Sequence, residues 1–234
     1  MSRFWHPTPE LQPLIQELRQ QQEVLRAQLD LSRSPEEIKT IAGCDSAIIG
    51  EDIFSVFVIF SYPDLLELEV QVHQSATPFP YIPGFLAFRE VPNLLLAYQK
   101  LSHLPDLIMV DGHGIMHPRR MGIAAHLGVT LNIPTIGVAK KRLFGKYAAV
   151  GEEKGAYSYM YDKDEVLGIV LRSKEKVNPI FVSAGHLCTL ETAHQVVLTT
   201  LHGYKLPEPT RIADKYSKEL KTFQPTLFSV PSTS

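Results

Sequence analysis

Leu107-Ile108-Met109-Val110-Asp111-Gly112-His113-Gly114 is the stretch on which the reading of this chain turns. The apolar run shortly after Pro105 reads as a buried strand, and an acid closes it where a turn of small residues opens. In α/β proteins the carboxyl ends of strands are where ligands and chemistry collect, so Asp111 is the first candidate functional residue. Upstream, Thr40-Ile41-Ala42-Gly43-Cys44 carries Asp45 in a comparable place before Ser46-Ala47-Ile48-Ile49. Two carboxylates on neighbouring strands repel at low dielectric unless a cation stands between them, which suggests a hard-metal site.

The elements around these strands set the fold class. Leu11, Leu14, Ile15, Leu18 and Leu25 recur at helical spacing over Pro9–Leu29, with the Gln-rich positions between them facing water. Ser34-Pro35-Glu36-Glu37 has the form of a capped short helix. Strands are expected over 41–49, 53–60 and 66–72, joined so tightly that they run antiparallel. A proline-rich aromatic loop, Pro78 to Gly84, leads to a helix over 88–101. The strand 107–111, a helix over 121–131 and a strand over 135–139 come next. Later strands are expected at 166–171 and 179–182, then a helix over 190–201 and a terminal helix from Thr210, its cap, to Lys221. No internal repeat is visible, and the Ser/Thr/Pro-rich tail, 224–234, reads as disordered. The whole predicts one α/β domain, 1–234, around a mixed β-sheet flanked by α-helices, with the first and fourth strands free to lie side by side. The ribonuclease H-like superfamily uses that topology, as one choice among several.

Composition narrows the function. At 234 residues and 44% hydrophobic content the chain can bury a sizeable core. No run approaches the length of a membrane span and the first residues lack a signal-peptide pattern, so a soluble, cytoplasmic protein is expected. Cys44 and Cys188 make no metal-ligand spacing and read as inert, half-buried thiols. A net charge of −2 argues against indiscriminate polyanion binding. Yet from Gly112 to Gly151 there is no acid, while Arg119, Arg120, Lys140, Lys141, Arg142 and Lys146 all fall in that window. Such a segment reads either as a phosphate-binding surface beside the metal site or as a solvated basic face.

Three ungapped segments are more specific: Pro80-Tyr-Ile-Pro-Gly-Phe-Leu-Ala-Phe-Arg-Glu90, Val110-Asp-Gly-His-Gly-Ile-Met-His-Pro-Arg-Arg120 and Gly137-Val-Ala-Lys-Lys-Arg-Leu-Phe-Gly145. Together with Ala42-Gly-Cys-Asp45 and Leu206-Pro-Glu-Pro-Thr-Arg211 they resemble, in order and over nearly the whole core, the deoxyinosine-cleaving endonuclease V family. The resemblance implies a ribonuclease H-like fold and a Mg²⁺-dependent site, with Mn²⁺ as a possible substitute. It also implies hydrolysis of the second phosphodiester 3′ to a deaminated purine, leaving 3′-hydroxyl and 5′-phosphate ends.

Carried onto this sequence, it makes Asp45, Glu90 and Asp111 the metal-site carboxylates and Asp214 a fourth position, where some members have His. Glu90 otherwise reads as an acid near a helix start, and Asp214 as an exposed helical acid. His117 and Lys140 are similar to residues that contact the cleaved backbone, Lys140 offsetting charge on the phosphate. His113 is a lower-ranked base. Pro80-Tyr81-Ile82-Pro83 resembles the family's strand-separating wedge, two prolines stiffening a loop whose Tyr81 and Ile82 fill the gap left by an extruded base. Gly84, Gly112, Gly114 and Gly145, with Leu143, would make room for that base. The implied partner is DNA containing deaminated bases, with single-stranded DNA or inosine-containing RNA as further substrates and the protein acting as a monomer. Competing readings are an inosine-specific ribonuclease, a noncatalytic lesion-binding protein, and a phosphoryl-transfer enzyme using Gly112-His-Gly114 as a phosphate turn. That last turn lacks the lysine and Ser/Thr of a P-loop.

Overall fold

A computed structural model describes residues 8–77 and 80–223. Part of the proline-rich loop, Pro78 and Phe79, lies outside the described residues, as do the amino terminus and the tail expected to be disordered.

Strand β1 (Thr40–Ile49) runs antiparallel to β2 (Asp52–Ser61), which runs antiparallel to β3 (Glu67–Ala76). On its other side β1 pairs in parallel with β4 (Leu107–Asp111), and β4 with β5 (Thr135–Ala139). Beyond β5 the sheet continues antiparallel through β9 (Ile180–His186), β8 (Glu165–Leu171), β7 (Tyr157–Asp162) and the two-residue β6 (Lys146–Tyr147). Helices α2 (Leu86–Tyr98) and α3 (Ile123–Leu131) cover one face through Val91, Leu94, Ala124 and Leu127; α4 (Leu190–Thr199) and α5 (Glu208–Phe223) cover the other through Val196, Val197 and Ala213. Helix α1 (Gln12–Arg26) packs Ile15 and Leu18 on Ile82 and Phe85.

Side chains alternate across a strand. In β4, Leu107 and Met109 belong to the core under α4 and α5, and Ile108 and Val110 to the core under α2 and α3. Asp111 therefore points toward α5. In β1, Ile41 lies under α5 and Ala42 and Cys44 under α2, so Asp45 also points toward α5. The register Cys44↔Val110 makes the two acids next-door neighbours, the adjacency the order of elements predicts. Gly43 lets α5 sit directly on β1, since a Cβ there would lie 1.9 Å from the Pro209 carbonyl oxygen.

Several expectations need correcting. No helix forms at 34–39. Ser34 Oγ instead accepts from Thr189 N at 3.0 Å and donates to Thr192 Oγ1 at 2.8 Å, serving the start of α4. Helix α5 begins at Glu208, two residues before the expected cap: Pro209 is tolerated in a first turn, and Thr210 is buried with its hydroxyl donating to Pro207 O. Strands β6 and β7 were not anticipated, and β3 and β9 run past the expected ends. Both cysteines are fully buried, and burial pushes the Cys188 thiol up to about 12. No helix among the described residues is long and apolar enough to cross a membrane.

Candidate active site

Asp45 from β1, Asp111 from β4 and Asp214 from α5 each offer an oxygen, and the three oxygens lie within 4.8 Å of one another. Burial raises the Asp45 carboxyl above the ordinary range despite a hydrogen bond from Ser217 Oγ. Burial, then the charge of Asp45, pushes Asp111 up to about 6, although Lys140 opposes both. Burial acts upward on Asp214 too, but hydrogen bonds from Lys140 and Lys218, the latter at 2.6 Å, outweigh it and hold its carboxyl low. Lys140 Nζ donates to both Asp111 Oδ2 and Asp214 Oδ1; burial would lower its pKa, but these carboxylates raise it.

Glu90 stands outside this close group. It comes from α2, and burial with the charges of Asp45 and Asp111 pushes it up to about 8, so it feels the acids without touching them. Its helix is locked by Asn93, which is 1% exposed and donates to Ile53 O, His73 O and Ser55 Oγ while accepting from Ser75 Oγ. A half-buried set of oxygen donors whose charges oppose one another needs a proton or a cation, and all-oxygen donors suit a hard divalent ion. The residues therefore fit such an ion.

Beside the acids opens a pocket of about 410 Å³. Gly112 and Lys141, the chain neighbours of Asp111 and Lys140, line it, with Gly84, Ile123, Leu143 and the Tyr81 ring. Tyr81 is 58% exposed, whereas Ile82 is 1% exposed and anchors the loop in the α1 cluster. The loop is pinned further by Gln22, which is buried rather than facing water. Gln22 donates to Gly84 O at 3.1 Å and accepts from Arg119 Nε, while Arg119 Nη2 also donates to Gly84 O at 2.6 Å.

Two of the glycines expected to make room for a base, Gly114 and Gly145, do not line this pocket. Gly114 is buried against β9, where a Cβ would lie 2.0 Å from Ala184 O, and Gly145 lines a separate cleft. His117 lines the pocket rather than joining the acids, and burial takes it down to about 4, leaving a neutral imidazole at neutral pH. Burial brings His113 to about 4 as well, and its Nε2 lies 3.0 Å from Lys141 O.

The basic window is also divided. Arg120 is spent on Asp162 and Glu165, Arg119 on the wedge loop, and Lys140 on the acids, so Lys141, Arg142 and Lys146 are its exposed cations. Sequence reasoning missed Ser217, Lys218, Asn93 and Gln22. Of these, Lys218 carried a signal, four residues after Asp214 on one helix face.

A family model described as Endonuclease V matches residues 23–215. Endonuclease V of Geotalea uraniireducens is 44% identical over 213 residues, 91% of each chain. The crystal structure of an Endonuclease V from Streptomyces avermitilis superposes with a TM-score of 0.84 at 33% identity, covering 94% of this chain and 95% of that one. Endonuclease V of Ciona intestinalis, in complex with a 24mer DNA containing an inosine followed by a ribo-adenosine, gives 0.76 at 32% identity, covering 90% and 99%. With its aspartates brought together from β1, β4 and α5 beside the pocket, the chain belongs to the endonuclease V family.

Proposed function

We propose that this chain is a magnesium-dependent DNA-repair endonuclease that recognises deoxyinosine and hydrolyses the second phosphodiester 3′ to it. The observation that carries the reading is the junction of two sites through adjacent residues. Asp111 belongs to the acids and Gly112 to the pocket; Lys140 belongs to the acids and Lys141 to the pocket. A base held in the pocket thereby has its neighbouring backbone within reach of the carboxylates. The Ciona relative's complex with inosine-containing DNA supports the choice of base.

Asp45, Asp111 and Asp214, with Glu90 behind them, would hold Mg²⁺, or Mn²⁺ in its place. Bound there, the ion would polarise a phosphoryl oxygen and ease deprotonation of the attacking water. Lys140, fixed by Asp111 and Asp214, offers a positive charge to the phosphate as negative charge develops on it. Tyr81 at the pocket mouth takes the place of the extruded base, its backbone stiffened by Pro80 and Pro83. Hypoxanthine presents a carbonyl and a ring N–H where adenine presents an amine and a bare nitrogen, so backbone groups along the glycine-lined wall can separate the two. Neutral His117 forms part of that wall. A single chain suffices for this chemistry.

Gel-resolved cleavage of an end-labelled duplex carrying one deoxyinosine tests the reading, beside an undamaged duplex and an inosine-containing RNA, each with Mg²⁺ and with EDTA. The expected result is a Mg²⁺-dependent nick one nucleotide beyond the lesion, with a 3′-hydroxyl. Cleavage of RNA alone, or of no substrate, overturns it.

A further inference from the structure

Strand β7 carries Tyr157, Tyr159 and Tyr161 at every second position, hence on one face, each 40 to 45% exposed. Exposed rings in a row cost free energy in water unless something covers them. Their centroids are 5.7 and 6.2 Å apart with planes crossed at 85° and 69°, so they meet edge to face rather than stacking on one another, and Tyr157 also meets the His194 ring of α4 edge to face at 4.6 Å. Strand β6 pairs with Met160 and Tyr161 alone, which leaves the Tyr157 and Tyr159 half of β7 at the sheet edge.

The row continues from the base pocket. Tyr161 walls a cleft of about 650 Å³ whose lining includes Arg142, Leu143, Lys146 and Lys163, and Arg142 and Leu143 also line the pocket beside Gly112. The cleft has one carboxylate, Asp162, which is held by Arg120 at 2.7 Å, while Arg142, Lys146 and Lys163 are exposed. At the far end Tyr157 and Tyr159 line a groove against α4. A path therefore leads from the pocket through a basic cleft onto an aromatic row, and ends at Glu191, whose charge disfavours phosphate.

We propose that this path binds a single-stranded stretch of nucleic acid leading away from the lesion. Its bases stack on Tyr161, Tyr159 and Tyr157, and its phosphates lie along Arg142, Lys146 and Lys163. Bases in a duplex are already stacked on one another and cannot use open rings; unpaired bases can, whatever their identity. The inference rests on the nucleic-acid reading above and extends it to a context preference, for lesions in unwound or single-stranded DNA.

The test is the affinity of the whole chain, in EDTA, for single-stranded oligonucleotides carrying one deoxyinosine, with the arm on each side lengthened stepwise. Affinity should tighten as one arm grows. The triple variant Tyr157→Ala, Tyr159→Ala, Tyr161→Ala should lose about tenfold or more of that gain, from the usual contribution of base–aromatic stacking. Replacing all three by Phe should retain it, since stacking needs the ring and not the hydroxyl, and Lys146→Glu with Lys163→Glu should reduce it without touching a tyrosine. An arm-length dependence identical in wild type and in the Ala and Glu variants overturns the proposal. So does a change of sedimenting mass in the Ala variant with unchanged length dependence, which makes the row a contact between copies of the chain. If the wild type nicks no deoxyinosine substrate in Mg²⁺ yet the tyrosine-dependent gain persists, the nuclease reading fails and the path stands.

Discussion

Asp214 Oδ1 and Lys140 Nζ lie 2.6 Å apart, joining a helix near the end of the chain to the residue that follows β5. The same ammonium reaches Asp111, so one cation offsets two of three clustered carboxylates. Replacing Lys140 by Met should remove positive charge from the phosphate and lower cleavage about 10²- to 10³-fold. It should also leave the acids less compensated, so that a divalent ion binds at least as tightly, by calorimetry, as to the wild type. Undiminished cleavage, or loss of cation binding, would refute this role.

Glu90 lies outside the close group of aspartates but feels Asp45 and Asp111, and its pKa is pushed to about 8, burial being the larger cause. In the metal-free protein it is therefore largely protonated at neutral pH and becomes a buried charge only as the pH rises past about 8, with Arg89 offsetting it in part. Glu90→Gln removes that charge at nearly the same volume and should stabilise the metal-free fold by about 1–3 kcal/mol while reducing cleavage. Added Mg²⁺ should raise the wild-type melting temperature more than that of Glu90→Gln. Denaturation curves in EDTA that coincide would show that Glu90 does not feel the other acids.

Tyr81 and Ile82 are neighbours with opposite duties, one 58% and the other 1% exposed. Tyr81→Ala should weaken cleavage of a deoxyinosine duplex by about tenfold to a hundredfold, in line with the loss of one stacking ring, and leave the melting temperature unchanged. Ile82→Ala should cost about 2–4 kcal/mol of stability as a cavity opens against Ile15, Leu18 and Phe85. Equal effects of the two changes on stability would contradict the division.

The legible parts of this fold were those governed by local pattern. Apolar runs and short connections gave the β1–β2–β3 meander, and the acids at the ends of apolar runs gave the Asp45 and Asp111 pair. What stayed hidden depended on partners distant in sequence. Ser34 carries the signature of a local cap but spends its hydroxyl on Thr189 and Thr192 across the molecule. Gln22 reads as a solvated helix position and is drawn inside because Gly84 and Met121 offer it carbonyls. Gly114 and Gly145 have the composition of a ligand-facing glycine, yet close approaches to Ala184 and Met160 account for them. Strand β7 carries an alternating signal in Tyr157-Ser-Tyr-Met-Tyr161, but its place in the sheet is set by pairing with β8.

His126, on α3, is 7% exposed, with its ring 4.8 Å from that of Phe88 and its buried Nδ1 without a hydrogen-bond partner among the described residues. Burial takes its pKa from 6.5 to about 4. A base whose folded value is depressed is neutral in the fold but takes up a proton on unfolding whenever the pH lies between the two values. The unfolded state then binds more protons, and stability is lost as pH falls from about 6.5 toward 4. The contribution of this one group across the window is on the order of 1–3 kcal/mol. His113 and His117 act in the same direction and the raised acids Asp111 and Glu90 in the opposite one, so the wild-type curve alone cannot isolate it. The difference between wild type and His126→Phe can, because Phe keeps the edge-to-face contact and cannot titrate. Urea denaturation in EDTA at about pH 7 and about pH 5 should show His126→Phe gaining on the wild type at the lower pH. A difference that does not change with pH would mean that His126 is already protonated in the folded protein or is reached by solvent.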